Sequence, residues 1–401
     1  MMICKTENCT GCAACMNVCP VGSISMEQNQ YGVVHPVINS QKCISCKKCI
    51  RTCPSNNEIP LLAVKKVYAS WRKNTQRLKD SASGGIGAVL AEHWIADDGI
   101  VCGTEYDKNF HPHMQLETTA MGIEKFKGSK YVQSETGYIY SEVRELLVQG
   151  KKVLFFGTPC QLAGLYSIVG RNFDNLVTVE ILCHGVSPDK YFQEELEQLK
   201  KEKGIHTFDN ISFRTNRWLL DFCFAFWNKD RLVYEMPAYE NRYFASFLKG
   251  LSLRESCYQC KYKNTRRLGD ILIGDFIGLG NKIPFEFSPA HRSLVACMTE
   301  NGLDLLSRYS DDMILVERTL EEAVIEGRSL RESFPRHPMQ KEFRNLVAQK
   351  GFISAAEEIL GEDLARAAQT NRKWKLTRKF KIFLYYKFHI KICDRHIFIE
   401  K

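Results

Sequence analysis

Eight of the seventeen cysteines stand in two copies of one spacing: Cys9, Cys12, Cys15 and Cys19 before Pro20, and Cys43, Cys46, Cys49 and Cys53 before Pro54. Both read C-x2-C-x2-C-x3-C-P, the run that supplies thiolates to a pair of 4Fe-4S clusters. The copies begin 34 residues apart, so the segment is an internal duplication. Three closely spaced thiolates cap three corners of an iron–sulfur cube, and the short chain between them reaches the fourth corner poorly. The fourth ligand is therefore expected from the other repeat. Cys53 joins Cys9, Cys12 and Cys15, and Cys19 joins Cys43, Cys46 and Cys49. Zinc knots use two C-x2-C pairs instead, and disulfide frameworks belong to small exported chains. The expected chemistry is one-electron transfer.

The elements that must position these thiols are short. Residues 1–58 hold both repeats with an extended piece, Tyr31–Ile38, between them. So small a segment cannot stabilise itself by apolar burial alone, and bound clusters are expected to supply much of its folding energy. Residues 58–66 read as a connector. From Val67 onward strands alternate with helices, which indicates an α/β domain. Val67–Trp71, Lys152–Phe156, Leu176–Leu182 and Ile271–Ile273 read as strands, the last three as buried apolar runs. Ser83–Asp97 reads as a glycine-rich turn entering a helix, and Asp189–Lys203 as a charged helix. Pro335 and Pro338 mark a change, after which Arg344–Ala368 has a helical pattern.

Further chemistry gathers at strand ends. Cys160 follows one buried strand in Gly157-Thr158-Pro159-Cys160-Gln161, and Cys183 ends the next in Cys183-His184-Gly185. Cys257 and Cys260 form a single C-x2-C. Sites in α/β sheets lie beyond the carboxyl ends of strands, so these four thiols are candidates for a third metal site. The alternative is two buried hydrophobic cysteines and a structural zinc at Cys257 and Cys260. Ser83-Gly84-Gly85 opens a helix, where backbone N–H groups and the helix dipole favour an anion. It is neither a Walker loop nor a dinucleotide fingerprint. The stretch Ser129-Lys130-Tyr131-Val132-Gln133 mixes hydroxyls, a cation and an aromatic, which suits a phosphorylated ring-bearing ligand or an ordinary solvated loop. His184 stands beside Cys183 as a candidate proton donor, against the blander reading of a histidine satisfied in place. His111 and His113 read as surface.

Taken together these motifs are recognisable. From about Val67 to Gly302 the chain resembles the beta-subunit family of coenzyme F420 hydrogenases and dehydrogenases, with fused ferredoxin repeats. The resemblance rests on Ser83-Gly84-Gly85, Gly128–Ser134, Gly157–Gln161, Cys183-His184-Gly185, Ser212-Phe213-Arg214, Leu253-Arg254, Cys257–Lys261, Asp270, Gly274-Asp275-Phe276 and Ser293–Gly302. It implies an FAD-containing α/β domain with a further 4Fe-4S cluster held by Cys160, Cys183, Cys257 and Cys260. It also implies cofactor contacts from Ser83, Gly84, Gly85, Ser129, Lys130, Tyr131, Gln133, Gly157, Thr158, Gly185 and Asp275, with His184 as the catalytic candidate. Ile277 replaces a usual tryptophan, and Thr215-Asn216 replaces an acidic-basic pair, which puts the substrate's identity in question.

The expected fold is an α+β ferredoxin-like domain (1–58), an α/β flavin-binding domain (67–335), a helical extension (336–370) and a basic aromatic tail (371–401). The expected function is an iron–sulfur flavoprotein oxidoreductase passing electrons between 4Fe-4S clusters, FAD and a small organic substrate, with coenzyme F420 as one candidate. The rivals are a non-catalytic electron-transfer subunit with a structural metal in the larger domain, and a cluster-bearing scaffold or sensor. An electron-transfer partner protein is expected.

Composition fits a globular chain: 44% apolar and 25% charged among 401 residues. No secretory leader or 18-residue apolar span is visible, and so many cysteines without an export signal imply reduced thiols in a cytoplasm poor in oxygen. Eight of the nine net positive charges fall in residues 371–401, where Lys and Arg interleave with Trp374, Phe380, Phe383, Tyr385, Tyr386 and Phe388. That tail suits contact with an anionic membrane face, which would make the protein peripheral, better than nucleic acid. Helical spacing there is poor, and Lys387–Ile392 alternates like a strand.

Overall fold

The computed structural model describes residues 2–79, 81–214, 222–288, 291–388, 390–392 and 397–399, with side chains described as far as 372 except at residue 79. In the N-terminal repeats, β1 (Ile24–Gln28) and β2 (Val34–Ile38) form an antiparallel pair. Next come β3 (Lys66–Arg72), β4 (Ile100–Tyr106), β5 (Pro112–Glu117), β6 (Val153–Gly157) and β7 (Leu176–Ile181). Three short strands follow, β8 (Asn210–Ser212), β9 (Cys223–Asn228) and β10 (Arg231–Pro237). After them come β11 (Ile271–Asp275), β12 (Ser293–Cys297) and β13 (Met313–Arg318).

The main sheet has eight strands in the order β13-β3-β12-β11-β7-β6-β4-β5. Its centre, β11-β7-β6-β4, is parallel, and antiparallel partners flank it on both sides. Strands covered on both faces read as unbroken apolar runs, which is why Val153–Phe156 and Ile271–Ile273 are visible in the sequence. Helix Ile86–Ala96 buries Val89, Leu90 and Trp94 with Leu154, Val179 and Val295. A second apolar set joins Leu162, Leu165 and Tyr166 of helix Pro159–Val169 to Phe155, Tyr140 and Tyr262.

The chain forms two compact units, residues 1–193 with 253–336, and residues 194–252 with 337–401. This grouping differs from the linear division at two places. Residues 1–58 are not compact apart from the main sheet, and 194–252 leave the stretch 67–335 to join the C-terminal part. The second unit holds the antiparallel sheet β10-β9-β8 and an aromatic core of Phe213, Phe224, Phe226, Tyr243 and Phe352. Its long helix, Gln340–Phe388, is broken at Gly351, whose φ of 82° no helix accommodates. The helical backbone thus runs on through most of the tail, and only Ile390–Ile392 pairs as a strand, β14, with β15 (Ile397–Ile399). The tail's aromatic and basic side chains from 373 onward, and Thr215-Asn216, lie outside the described residues. Among the described residues no helix is long and apolar enough to cross a membrane.

Candidate metal centres and cofactor site

The two repeats share one backbone path. Gly11 (φ 70°) and Ala13 (φ 60°) are left-handed in the first, and Ser45 (φ 55°) and Lys47 (φ 58°) are left-handed at the equivalent places in the second. A short helix then begins in each, Ala14–Asn17 and Lys48–Thr52. This winding turns each C-x2-C-x2-C run around a common centre.

The structure brings Cys53 to the first run. Cys12 is pushed up to about 11 by burial, with the charges of Cys9 and Cys53 adding to it. Cys15 is raised by burial and by Cys12, Cys9 and Cys53. Cys4, which the spacing did not single out, stands beside Cys9 and Cys53 and draws their thiols down. Cys19 joins the second run: Cys19, Cys43, Cys46 and Cys49 line one hollow. Its Sγ lies 3.2 Å from Ser23 Oγ and 3.3 Å from Ser23 N.

The four core cysteines also converge. Cys160 enters helix Pro159–Val169 behind a capping box, in which Gln161 Oε1 accepts from Thr158 N and Thr158 Oγ1, both at 2.9 Å. Burial raises its thiol, and the charges of Cys183, Cys260 and Cys257 act in the same direction. Cys257 is pushed to about 12 by burial, then by Cys183. A buried ion pair locates the set. Glu180, near the end of β7 and so near Cys183, accepts from Arg267 Nε (2.8 Å), Leu268 N (2.8 Å) and Gly269 N (3.0 Å). Arg267 also donates to Tyr262 O and Asn264 O, and Lys263 Nζ donates to Cys183 O. The loop carrying Cys257 and Cys260 is thus lashed to the strand carrying Cys183.

The core set and the Cys9 set are neighbours. Arg254, 1% exposed, donates to Cys9 O (2.7 Å), Val34 O (2.7 Å) and Gln133 Oε1 (3.1 Å). Lys261 Nζ donates to Pro54 O and Asn57 O, and Gln259 Nε2 to Asn8 Oδ1. Tyr140 and Tyr262 pack in one apolar cluster with Cys12, Cys160 and Cys260, so both rings lie near both sets. Among the described residues no three His, Cys, Asp or Glu side chains are placed to hold a single metal ion.

The residues expected around a flavin divide. Gly84 packs on the sheet, where a Cβ would lie 2.2 Å from Ser70 O, and its N–H donates to Ser293 Oγ. Ser83 Oγ donates to Arg292 O at 3.3 Å, and Gly85 (φ 76°) starts helix Ile86–Ala96. The Lys130 ammonium donates to Lys125 O, Phe126 O and Lys127 O, and burial lowers its pKa to about 8. Gln133 accepts from Arg254 and donates to Thr10 O beside Cys9. Gly157 ends β6 and Thr158 caps the helix after it, while Asp275 closes β11 opposite Ser293. Gly185 packs against Leu253 and Cys257. Ser129 and Tyr131 are half-buried, and the His184 ring lies 4.3 Å from that of Phe334. Ile277 is exposed.

Sequence reasoning missed the cations at the start of that helix. Glu92 is bound by Arg72 (2.8 Å), Arg77 (2.8 Å) and Lys127 (3.3 Å). Burial would raise its pKa, but those three cations bring it below the ordinary value. Arg292, 3.9 Å over the Trp71 ring, has no acidic partner among the described residues. Their only sequence signal is position, a cation at the edge of a strand.

A thiol-rich double repeat joined to an α/β sheet with a third group of thiols defines an iron–sulfur electron-transfer protein. Residues 150–323 match the family described as the C terminus of the coenzyme F420 hydrogenase/dehydrogenase beta subunit, and residues 8–57 match the 4Fe-4S dicluster domain. The chain is thus similar to this beta-subunit family over its α/β part, with a dicluster domain ahead of it. It is 23% identical over 328 residues to the F subunit of the F(420)H(2) dehydrogenase of Methanosarcina mazei, covering 77% of this chain and 84% of the relative. Among solved structures it is similar to a chain of the F420-reducing [NiFe] hydrogenase complex from Methanosarcina barkeri. That similarity is 20% identity and a TM-score of 0.44, over 76% of this chain and 94% of the other.

Proposed function

We propose that the chain is an oxidoreductase that carries electrons over three 4Fe-4S clusters to or from FAD and a small organic substrate. The observation that carries this reading is the convergence of twelve cysteines into three sets of four. The donor sets are all thiol, with no histidine or carboxylate among them, which is the chemistry of iron–sulfur ligation. Cys9, Cys12, Cys15 and Cys53 would hold one cluster, Cys19, Cys43, Cys46 and Cys49 a second, and Cys160, Cys183, Cys257 and Cys260 a third. Bound, the clusters supply one-electron steps, and FAD supplies the exchange between one- and two-electron chemistry.

The chain's own part is to fix these centres and exclude water between them. Arg254, Lys261, Tyr140 and Tyr262 fill the space between the Cys9 set and the core set, and the Glu180–Arg267 pair fixes the core set against β7. The surplus cations around Glu92, with Arg292, support an anionic cofactor at the start of helix Ile86–Ala96, as the FAD pyrophosphate requires. His184 would hold a proton beside Cys183. The name of the Methanosarcina mazei relative makes coenzyme F420 the first substrate to assay. A reducing, oxygen-poor cytoplasm is the compartment this chemistry needs.

The test is iron, acid-labile sulfide and released flavin per chain on anaerobically purified protein. The reading expects about twelve irons and one FAD. About eight irons with zinc and no flavin, after reconstitution, would reduce the α/β part to a scaffold.

A further inference from the structure

The two repeats are alike in backbone and unlike in dress. The first reads Cys9-Thr10-Gly11-Cys12-Ala13-Ala14-Cys15 and the second Cys43-Ile44-Ser45-Cys46-Lys47-Lys48-Cys49. Ala13 and Ala14 are 3% and 0% exposed, and their equivalents Lys47 and Lys48 lie at the surface. Equal left-handed angles at Ala13 and Lys47 mean that the backbone does not dictate this difference. Gly11 is required because Arg254 and Gln133 press on it, with a Cβ falling 2.5 Å from Gln133 Nε2; Ser45 has the same conformation with room for a side chain. The first run is therefore built to be covered by the rest of its unit, and the second to face outward.

What faces outward is one-signed. From Gln28 to Asn57 there is no Asp or Glu, and the cations are Lys42, Lys47, Lys48 and Arg51. None of the four has an ion-pair partner among the described residues. Solvated faces ordinarily intersperse both signs, because neighbouring like charges repel. Here adjacent lysines flank an apolar tip: Ile44 is 61% exposed, and it lines the same hollow as Lys47, Lys48 and Val21. Polar Thr10 holds the equivalent place in the covered repeat. Unpaired cations beside an exposed apolar tip are the form of an electrostatically steered docking face. Electron tunnelling falls steeply with distance, so a partner seated here would meet the Cys19 set first, with the Cys9 set and then the core set behind it.

We propose that the face formed by Lys42, Ile44, Lys47 and Lys48 is the electron port, and that its occupant is an acidic one-electron carrier protein. The inference rests on the cluster reading of the Cys19, Cys43, Cys46 and Cys49 set. It adds the order of the centres and the charge of the partner.

The test uses the full-length cluster-loaded protein and a Lys42→Glu/Lys47→Glu/Lys48→Glu variant, with a reduced acidic ferredoxin as the probe. Stopped-flow rates of cluster reduction are followed against ionic strength. The variant should react at least about tenfold more slowly at low salt, and the gap should close as salt screens the charges. Iron content and reduction by dithionite should stay as in the parent protein, and a basic cytochrome should become the better partner of the variant. Equal ferredoxin rates and equal salt dependence in two fully loaded proteins would overturn the proposal. So would a variant that loses binding to anionic phosphatidylglycerol vesicles while keeping its ferredoxin rate. Absence of iron from both proteins would overturn the underlying cluster reading instead.

Discussion

Replacing Arg254 with methionine removes a charge and five donors from the space between two thiol sets while keeping most of the side chain's bulk. In the parent, Cys9 O and Val34 O each accept from the guanidinium at 2.7 Å, and Gln133 Oε1 accepts at 3.1 Å. Leaving buried acceptors unpaired costs about 1–3 kcal/mol each, so a loss of roughly 3–5 kcal/mol is expected after partial relaxation. The charge has a second effect. Reduction adds an electron beside Cys9, and a fixed positive charge favours the reduced form. If that interaction is worth about 1.5–3 kcal/mol, its removal lowers the one-electron potential by roughly 60–130 mV. An EPR-monitored redox titration of the full-length loaded protein measures this, and thermal unfolding measures the stability. Arg254→Lys keeps the charge, but one ammonium cannot hold three acceptors in the same fork geometry. It should restore most of the potential and little of the stability. A methionine variant with full iron, parental melting and a potential within about 20 mV of the parent would refute the reasoning.

Three more outcomes follow from single contacts. Gly11→Ala should cost about 1–3 kcal/mol and release iron from the first set, because its Cβ would meet Gln133 and Arg254 at a φ of 70°; Ser45→Ala, at nearly the same φ, should do neither by melting or iron assay. Glu180→Gln leaves Arg267 buried without its counter-charge, a loss of about 3–5 kcal/mol. Iron should fall by about four per chain while the N-terminal EPR signals remain, and retention of all the iron would count against the ligand loop being held this way. Lys130 should acylate with a midpoint near pH 8. Its folded-state pKa lies below its unfolded one, so the unfolded chain keeps a proton that the folded chain has released, and stability should rise from about pH 8 to 10.4. Lys130→Met should remove that rise in melting curves taken across the window.

How much of this was legible in the chain depends on the range of the interaction. The dicluster spacing is local, and chain reach alone pointed to Cys19 and Cys53 as crossed ligands; the structure gathers those groups. Strands β6, β7 and β11 were legible because burial on both faces leaves a continuous apolar run. The fate of a polar side chain was not. For Lys130 and Gln133 the sequence gives the chemistry without the direction. One closes three carbonyls five residues or fewer away, and the other meets an arginine 121 positions later. Arg254 itself looked like part of a motif without a role. Its partners, Cys9 and Val34, are more than two hundred residues distant, and no periodicity carries that information. The separation of 194–252 from 67–335 was hidden for the same reason, because its core is completed by residues after 336. The duplication shows the boundary most sharply. Spacing declares the two repeats equivalent, and by backbone they are. Whether Ala13-Ala14 or Lys47-Lys48 meets protein is decided by which run Arg254 reaches, so the difference between the repeats has a meaning only once the fold has chosen which one to cover.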